Sequence, residues 1–317
     1  MKKCDVLIIG AGAAGLTAAV YTSRRNLKTI VVSTDYGGQF NLTDHIENYP
    51  AVKLITGQKL AKKFKTQAKK FGAKFINGKV VKISKDLESN KNIFYLDLAS
   101  GEKCKGKVVI LAFGKVPRKL DIPGEEKFMG RGISTCAICD APLFKNKTVA
   151  VIGGYKGALE TTFELANIAK KVYLVHKKEN LTADQDLIDK VKQLNNVEFI
   201  LNHIPVEVIG DKVIKSLKIK HVNNNEIKEI DLDGIFIEIG YMVDTGFVKD
   251  LVKLNEDNEI VIDNNCKTST EGIFAAGDVT IIPYKQIVIS AGEGAKAALE
   301  AYKYLTNSDK VEIDWTY

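Results

Sequence analysis

A glycine-rich turn near the amino terminus is the feature that most restricts how this chain can fold. The pattern predicts, in order, a strand over Cys4 to Ile9, the turn Gly10 to Gly15, a helix over Leu16 to Arg25 and a strand over Thr29 to Val32. A strand, a GxGxxG turn and a helix in this order are typical of the βαβ unit that binds a dinucleotide. The motif alone is weak evidence, but a predicted strand precedes this one and a predicted helix follows it.

Each glycine of this turn has a physical role in such a unit. Gly10 permits the tight turn, Gly12 lets the backbone approach a pyrophosphate, and Gly15 lets the helix pack on the strand. The amino terminus of the helix then faces the phosphates. The acidic residue expected about twenty residues later has no clear counterpart. Asp35 is the nearest candidate, and it is equally well explained as a turn residue.

Two cysteines near the middle of the chain form a CxxC motif, Cys136 and Cys139, followed by Asp140. This spacing can close a small disulfide ring, and the neighbouring acid can move the proton that thiol–disulfide exchange requires. Half a metal site and two buried thiols are the alternatives, but a zinc site needs four ligands and the four histidines show no ligand spacing. The other cysteines stand alone, at Cys4, Cys104 and Cys266. A CxxC near βαβ patterns favours a redox pair, and no metal site is predicted.

A second nucleotide-binding pattern begins about 140 residues after the first. It predicts a strand over Thr148 to Ile152, a turn from Gly153 to Ala158, a helix over Leu159 to Ala169 and a strand over Lys171 to His176. Tyr155 stands where the middle glycine of a GxGxxG/A turn would be. A side chain at that position should collide with a pyrophosphate.

Length and composition narrow the class of protein. The 317 residues are about two domains long, and 45% of them are apolar. No run of 18 apolar residues occurs, so we expect neither a membrane span nor a signal peptide. Isolated cysteines favour a cytoplasmic, reducing compartment over a secreted one. The net charge is +7, and only four of the 46 basic residues are arginine. We interpret the lysines as solvated faces rather than a nucleic-acid site, although a basic surface can steer an acidic protein partner.

Several motifs together resemble the low-molecular-weight thioredoxin reductases, in the right order and over nearly the whole chain. They are the two glycine-rich turns, the CxxCD, Gly37-Gly38-Gln39, Glu47-Asn48-Tyr49-Pro50, and Gly272 to Asp278 with the later Gln286. The resemblance implies an α/β fold with two Rossmann-like (three-layer ββα) nucleotide-binding domains, the second inserted into the first. Residues 1–115 and 246–317 would form an FAD-binding domain, and residues 116–245 would carry the CxxC and a degenerate NAD(P)H-type fold. It also implies a homodimer.

The resemblance further implies residue roles. Cys139 would lie against the flavin and take its electrons, Cys136 would attack the disulfide of thioredoxin, and Asp140 would act as general acid. Asp278 would bind the ribityl chain of FAD. The residues implied to bind FAD are Gly10, Gly12, Ala13, Ala14, Gly15, Gly38, Gln39, Asn48, Gly114, Gly277, Asp278, Gln286 and Ile287.

The chain departs from this family in the inserted domain. Members that use NADPH carry a GxGxxA turn and a His-Arg-Arg-x-x-x-Arg segment, whereas the segment from His176 to Thr182 has lost all three arginines. Lysine cannot give the planar, two-pronged phosphate contact of arginine. With Tyr155, these losses predict weak or absent NADPH binding. The pattern is similar to that of ferredoxin-dependent flavin thioredoxin reductases, and an acidic ferredoxin suits a basic chain.

Three other functions remain open at this point. The chain could be an NAD(P)H-dependent thioredoxin reductase with an unusual site, a flavin dithiol oxidase that passes electrons to oxygen, or a flavin-binding protein that only docks a partner. The carboxy-terminal Trp315 and Tyr317 would stack on the flavin face that a missing nicotinamide leaves free, or belong to a frayed tail.

Overall fold

The computed structural model describes residues 1–42, 46–86, 92–308 and 310, with the side chains of Leu42, Ile138 and Cys139 excepted. Its strands are β1 (Lys2–Lys3), β2 (Val6–Ile9), β3 (Thr29–Ser33), β4 (Lys74–Asn77), β5 (Val80–Lys85), β6 (Phe94–Leu98), β7 (Lys103–Gly106), β8 (Val108–Leu111), β9 (Val116–Pro117), β10 (Ile133–Ser134), β11 (Thr148–Ile152), β12 (Lys171–His176), β13 (Val197–Leu201), β14 (His203–Gly210), β15 (Ile214–His221), β16 (Ile227–Asp231), β17 (Gly234–Ile237), β18 (Tyr241–Met242) and β19 (Ile273–Ala275). Its helices are α1 (Ala13–Arg24), α2 (Gly57–Lys70), α3 (Glu125–Phe128), α4 (Ala137–Asp140), α5 (Lys156–Ala166), α6 (Gln185–Lys192) and α7 (Ile287–Thr306). None of these helices is long and apolar enough to cross a membrane.

The chain forms two compact units, and one is inserted into the other. Unit 1 comprises Met1–Val116 and Met242–Tyr317, and unit 2 comprises Pro117–Tyr241. The sequence places these boundaries after residues 115 and 245. The second boundary lies earlier in the structure because Thr245 is part of unit 1, where it is buried and its hydroxyl donates to the backbone oxygen of Asn258 at 3.2 Å.

Unit 1 has three layers built on a parallel sheet of strand order β19-β8-β2-β3-β4. Strand residues point alternately to opposite faces of a sheet, so an apolar run on every strand predicts cover on both faces. Ile8 packs in the cluster that includes α1 and α7, whereas Leu7 packs against the β1-β7-β6-β5 sheet, with Leu96 among its neighbours. The strand β19, from the end of the chain, pairs with β8 and completes the parallel sheet.

Helices α1 and α7 pack closely because small residues line their contact. A Cβ atom at Gly294 would lie 2.1 Å from the backbone oxygen of Ala14, and one at Gly277 would lie 2.9 Å from the Ala14 Cβ. Buried Ala297 and Ala298 continue the same contact along α7. The small-residue helix predicted from the sequence therefore brings the carboxy-terminal part of the chain against the first glycine-rich turn.

Unit 2 repeats the three layers on its own parallel sheet, of strand order β10-β17-β11-β12-β13. Val149 and Val151 of β11 face the cluster that contains residues of α5, and Ala150 and Ile152 face the antiparallel sheet β14-β15-β16. Two Rossmann-like ββα layers, one unit inserted into the other, confirm the predicted α/β fold class.

Several elements carry too little pattern to predict from the sequence. The half-buried strand β14 and the mostly exposed strand β16 lack clear alternation of apolar and polar residues. Helix α6 is only eight residues long and buries Ile188 and Val191, a spacing too short to give a helical period. Helix α1 starts at Ala13 rather than the predicted Leu16, because the last residues of the glycine-rich turn already belong to the helix.

Candidate functional site

The first glycine-rich turn needs glycine for two different steric reasons. Gly10 has a φ of +102°, and a Cβ there would lie 2.2 Å from the backbone oxygen of Ala112. A Cβ at Gly15 would lie 2.0 Å from the backbone oxygen of Gly10. At Gly12, by contrast, the only atom within 4 Å of such a Cβ would be the Gly37 oxygen, at 3.9 Å. The turn is therefore closed towards the sheet and open on the side where Gly12 lies, which fits a phosphate-bearing ligand.

The Gly37-Gly38-Gln39 loop lies against this turn. The backbone nitrogen of Gly37 donates to the backbone oxygen of Ala11 at 2.9 Å, and a Cβ at Gly38 would lie 3.7 Å from the Gly12 Cα. Asp35 accepts a hydrogen bond from the backbone nitrogen of Gly38 at 2.8 Å. Of the two interpretations of Asp35, the structure therefore assigns it to the turn.

Side chains from the two ends of the chain meet beside these loops. The Gln39 amide donates to Asp278 Oδ2 at 3.0 Å, and the Ser290 hydroxyl donates to Asp278 Oδ1 at 3.0 Å. The Asn48 amide donates to Gln286 Oε1 at 3.1 Å. The four polar residues predicted from separate motifs are thus joined in pairs, one member of each pair from either end of the chain.

The remaining predicted residues of unit 1 lie nearby. Ile287 opens α7 and packs on a cluster of Ala13, Phe40 and Ala61. Gly114 follows β8 with a φ of +66°, and no atom lies within 4 Å of the position that its Cβ would take. The thirteen residues that the sequence predicts for the cofactor all belong to unit 1.

Two carboxylates that the sequence analysis missed support this region. Glu259 forms ion pairs with Lys115 at 3.0 Å and Lys285 at 3.1 Å, the residues beside Gly114 and Gln286. Burial alone would raise the pKa of Glu259, but hydrogen bonds from both lysines and from Asn255 hold it below its usual value. No local pattern identifies Glu259, because its partners are distant in sequence.

The second missed carboxylate is Glu293, on the buried face of α7. Its Oε2 atom accepts a hydrogen bond from the backbone nitrogen of Gly277 at 2.7 Å, so it supports the loop that carries Asp278. Burial raises the pKa of Glu293, and the hydrogen bond from Gly277 acts against that shift. An acid within a stripe of small residues was the available signal.

The CxxC segment in unit 2 holds a disulfide-bonded cysteine. Cys136 is half-buried and disulfide-bonded, whereas the thiols of three other cysteines are free, those of Cys4, Cys104 and Cys266. The Cys139 side chain lies outside the described part, so its bond to Cys136 remains a prediction. Burial raises the pKa of Cys4 and of Cys266 to about 12 in each case, which makes these two thiols unreactive.

Ser134 fixes the backbone of Cys136, a contact that the sequence did not indicate. The Ser134 hydroxyl accepts from the Cys136 nitrogen at 3.0 Å and donates to the Cys136 oxygen at 3.2 Å. The Asp140 backbone nitrogen also donates to the Cys136 oxygen, at 3.1 Å, which closes the single turn of α4. Asp140 is half-buried.

The second glycine-rich turn is packed differently from the first. A Cβ at Gly154 would lie 2.2 Å from the ring nitrogen Nδ1 of His176, so the imidazole occupies the space directly beside the turn. Tyr155 is the residue before α5, with 49% of its surface exposed, and its ring meets the His176 ring edge-on at 6.3 Å. Thr182 donates its backbone nitrogen to the Gly154 oxygen at 2.8 Å.

His176 is buried and electrically neutral near physiological pH. Burial lowers its pKa first, and the charges of Lys178 and Lys177 lower it further, against a backbone hydrogen bond with Asn180. Its Nε2 atom has no hydrogen-bond partner within the residues that the structure describes. Both lysines are exposed, in the segment where an NADPH-using relative would carry arginines.

Glu238 is a third carboxylate that the sequence analysis missed. It follows β17, and its Oε1 atom accepts a hydrogen bond from the Thr161 hydroxyl of α5 at 3.1 Å. Its Oε2 atom lies 3.6 Å from the position that a Cβ at Gly157 would take, so it reaches the second glycine-rich turn. Burial raises the pKa of Glu238 to about 7. The predicted stacking role of Trp315 and Tyr317 concerns residues outside the described part of the chain.

Comparison with known proteins places this arrangement among disulfide oxidoreductases. The family model described as pyridine nucleotide-disulphide oxidoreductase matches residues 4–303. The chain is 40% identical over 318 residues to thioredoxin reductase of Aquifex aeolicus (strain VF5), covering 99% of this chain and 97% of the relative. It is also 40% identical over 303 residues to an alkyl hydroperoxide reductase of Escherichia coli (strain K12), covering 95% of this chain but only 58% of that protein.

Solved structures agree with these matches. The crystal structure of Lactococcus lactis thioredoxin reductase in the FR conformation has a TM-score of 0.81 and 36% identity, covering 96% of this chain and 99% of that one. A ferredoxin-flavin thioredoxin reductase from Clostridium acetobutylicum has a TM-score of 0.54 and 31% identity, covering 97% of this chain and 100% of that one.

Proposed function

Since the chain belongs to the pyridine nucleotide-disulphide oxidoreductase family and is a thioredoxin reductase-like disulfide oxidoreductase, we propose that it is an FAD-dependent reductase of thioredoxin. In this proposal electrons reach thioredoxin through a Cys136–Cys139 disulfide, and the electron donor is reduced ferredoxin rather than NADPH. The protein would act in the cytoplasm as a homodimer.

The observation that carries the proposal is the meeting of Asp278 with Gln39 and Ser290 beside the open side of Gly12. A turn with room for phosphate and a fixed carboxylate that can accept hydrogen bonds from ribityl hydroxyls fit the two polar parts of FAD. When bound there, the flavin supplies the two-electron chemistry. The protein supplies the position: Gly12 faces the pyrophosphate, and Gln286 and Ile287 lie towards the ring.

The cysteine segment would carry out the exchange with thioredoxin in two steps. The Cys136 thiolate attacks one sulfur of the thioredoxin disulfide, which breaks that bond, forms a mixed disulfide and releases one thioredoxin thiolate. Asp140 donates a proton to this leaving group. The Cys139 thiolate then attacks the Cys136 sulfur, which restores the Cys136–Cys139 disulfide and releases the second thioredoxin sulfur. Hydrogen bonds from Ser134 hold the Cys136 backbone in place during both steps.

Two features of unit 2 support a donor other than NADPH. Tyr155 replaces the glycine at which a pyrophosphate approaches the backbone, and Thr182 replaces an arginine that would hold phosphate. Similarity to a ferredoxin-flavin thioredoxin reductase gives independent support.

The distribution of charge supports an acidic protein as the donor. Helix α2 has six lysines and no acidic residue among its 14 residues, so it carries +6 of the net charge of +7. Its inner face packs by Phe64 against Phe40, at 5.6 Å between ring centres, in the cluster that contains Ile287. A partner attracted to α2 would therefore dock one helix away from residues that we assign to the cofactor.

Anaerobic reduction of the flavin by three donors in parallel tests the proposal. Reduced ferredoxin should bleach the flavin and drive reduction of thioredoxin, whereas NADPH and NADH should not. Cys136→Ser and Cys139→Ser should each abolish thioredoxin reduction while leaving bleaching by ferredoxin intact. Rapid bleaching by NADPH would reject the donor and leave the reductase standing. Peroxide production from small dithiols, with no activity on thioredoxin, would instead support a dithiol oxidase.

A further inference from the structure

The sheet order of unit 2 defines where a dinucleotide would bind. From β11 the chain moves outward through β12 to β13, and it returns on the other side of β11 at β17. Ligands of open parallel sheets bind in the crevice at such a reversal, outside the carboxyl ends of the two strands. In unit 2 this crevice lies between the end of β11, which leads into the Gly153 turn, and the end of β17, which leads into Glu238.

Glu238 occupies this crevice with both its backbone and its side chain. Its backbone nitrogen donates to the Ile152 oxygen at 2.8 Å, and its own oxygen would lie 2.3 Å from a Cβ at Gly153. Its carboxylate lies beside the first turns of α5, held by Thr161 and close to Gly157. In a dinucleotide-binding domain this is the region that the pyrophosphate needs.

The charges around Glu238 do not neutralise it. No cation among the described residues forms an ion pair with Glu238, and the carboxylate of Glu160 lies near enough to act on it. Lys156, within the turn, lies 3.8 Å from Glu160 and 3.9 Å from Asp184 instead. Tyr241 is uncharged here because burial raises its pKa.

We infer that Glu238 is a specificity-determining residue that excludes dinucleotides from unit 2, because its carboxylate stands where their pyrophosphate would bind. This inference deepens the proposed function and rests on it for the identity of the reaction. Tyr155 obstructs the same turn by its bulk, whereas Glu238 acts by charge. The two residues can therefore be separated by experiment.

The test is calorimetric titration of the flavin-loaded protein with ADP-ribose, which carries the pyrophosphate and has no redox activity. Glu238→Gln keeps the shape of the side chain and an acceptor for Thr161, and it should raise the affinity at pH 8 by about tenfold or more. Glu126→Gln, which removes the same charge from an exposed ion pair with Lys119 on α3, should leave the affinity unchanged. Tyr155→Gly combined with Glu238→Gln should bind most tightly.

A pH series on the unaltered protein gives a second measurement that needs no variant. The affinity for ADP-ribose should rise severalfold from pH 8 to pH 6, as the Glu238 carboxylate takes up a proton. His176, beside the turn, stays neutral over this range because its pKa is lowered, and ADP-ribose stays fully ionised. The pH dependence should disappear in Glu238→Gln.

Three results would overturn the inference. They are equal affinity of the unaltered and Glu238→Gln proteins for ADP-ribose, an equal gain in Glu126→Gln, and a flat pH series in the unaltered protein. Failure of the proposed function is seen separately, because it would appear as failure of reduced ferredoxin to drive thioredoxin reduction, whatever the titrations show.

Discussion

Gln39 and Asp278 are 239 residues apart in the sequence and are joined by a hydrogen bond of 3.0 Å. The bond exists because β19 pairs with β8 at the edge of the sheet whose next strand is β2, so the carboxyl ends of these strands lie together. It connects the loop after β3 with the loop after β19 and fixes a carboxylate beside the first glycine-rich turn. The ability to hold a cofactor thus depends on both ends of the chain.

Replacing Asp278 should reduce the amount of flavin that the protein retains. Asp278→Ala leaves Gln39 and Ser290 without their shared acceptor and removes the carboxylate assigned to the ribityl hydroxyls, so we expect most of the FAD to be lost on gel filtration. The ratio of flavin to protein absorbance measures the loss. Asp250→Ala, at an exposed site of unit 1, is the matched control and should retain its flavin. Full flavin content in Asp278→Ala would contradict the assignment.

Two glycines of α7 should respond in opposite directions to alanine. At Gly294 the new Cβ would lie 2.1 Å from the Ala14 oxygen, so Gly294→Ala should destabilise the protein by about 2–3 kcal/mol as the helices separate. At Gly292 no atom lies within 4 Å, and Gly292→Ala should stabilise the helix by roughly 0.5–1 kcal/mol. Urea unfolding measures both values. Similar changes in the two variants would argue against close packing of α1 and α7.

Glu238 should make the protein less stable as the pH rises. Its pKa in the folded protein is about 7, above the ordinary value of 4.5, so the folded state binds more protons between these values and stability falls across them. The cost is absent below pH 4.5 and complete above pH 7. Glu238→Gln removes it and should be more stable than the unaltered protein by about 1–2 kcal/mol at pH 8, after allowance for partial exposure. Urea unfolding at pH 5 and pH 8 should show this gain at the higher pH alone.

The opposite dependence is expected at Glu259. Burial acts against its charge, but two lysines and Asn255 lower its pKa, so its contribution is present above the ordinary value of 4.5 and is lost as the pH falls through the lowered pKa. Glu259→Gln leaves Lys115 and Lys285 largely buried without a partner and should cost about 1–3 kcal/mol at pH 7. Glu226→Gln, which breaks an exposed pair with Lys228, should change the unfolding free energy by less than about 0.5 kcal/mol. Equal costs in the two variants would refute this role for Glu259.

Reversing charge on α2 should slow reduction by an acidic donor. Lys62→Glu combined with Lys63→Glu removes four units of positive charge from an exposed face, so the rate of flavin reduction by ferredoxin at low salt should fall by about tenfold or more. Added salt should narrow the difference, because it screens the attraction. Lys212→Glu with Lys215→Glu, at exposed sites of unit 2, is the control and should react at the original rate. Stopped-flow absorbance follows the reaction, and an unchanged rate in the α2 variant would exclude this docking surface.

The sequence by itself determined the features that depend on near neighbours. The apolar strands β2, β8, β11 and β12, the turn from Gly10 to Gly15 and its degraded counterpart at Tyr155 are all local patterns, because backbone conformation and side-chain alternation act within a few residues. These patterns were sufficient for the α/β class and, with the family resemblance, for the residues of the cofactor region.

Only the tertiary structure decided which side chains face one another. Nothing near Glu238, Glu259 or Glu293 in the sequence distinguishes them from solvated acids, yet each reaches a glycine-rich loop or its neighbours. Their roles follow from the order of the strands and from the close approach of α1 and α7. Those arrangements arise from packing between residues that are far apart in the chain, which no local pattern encodes.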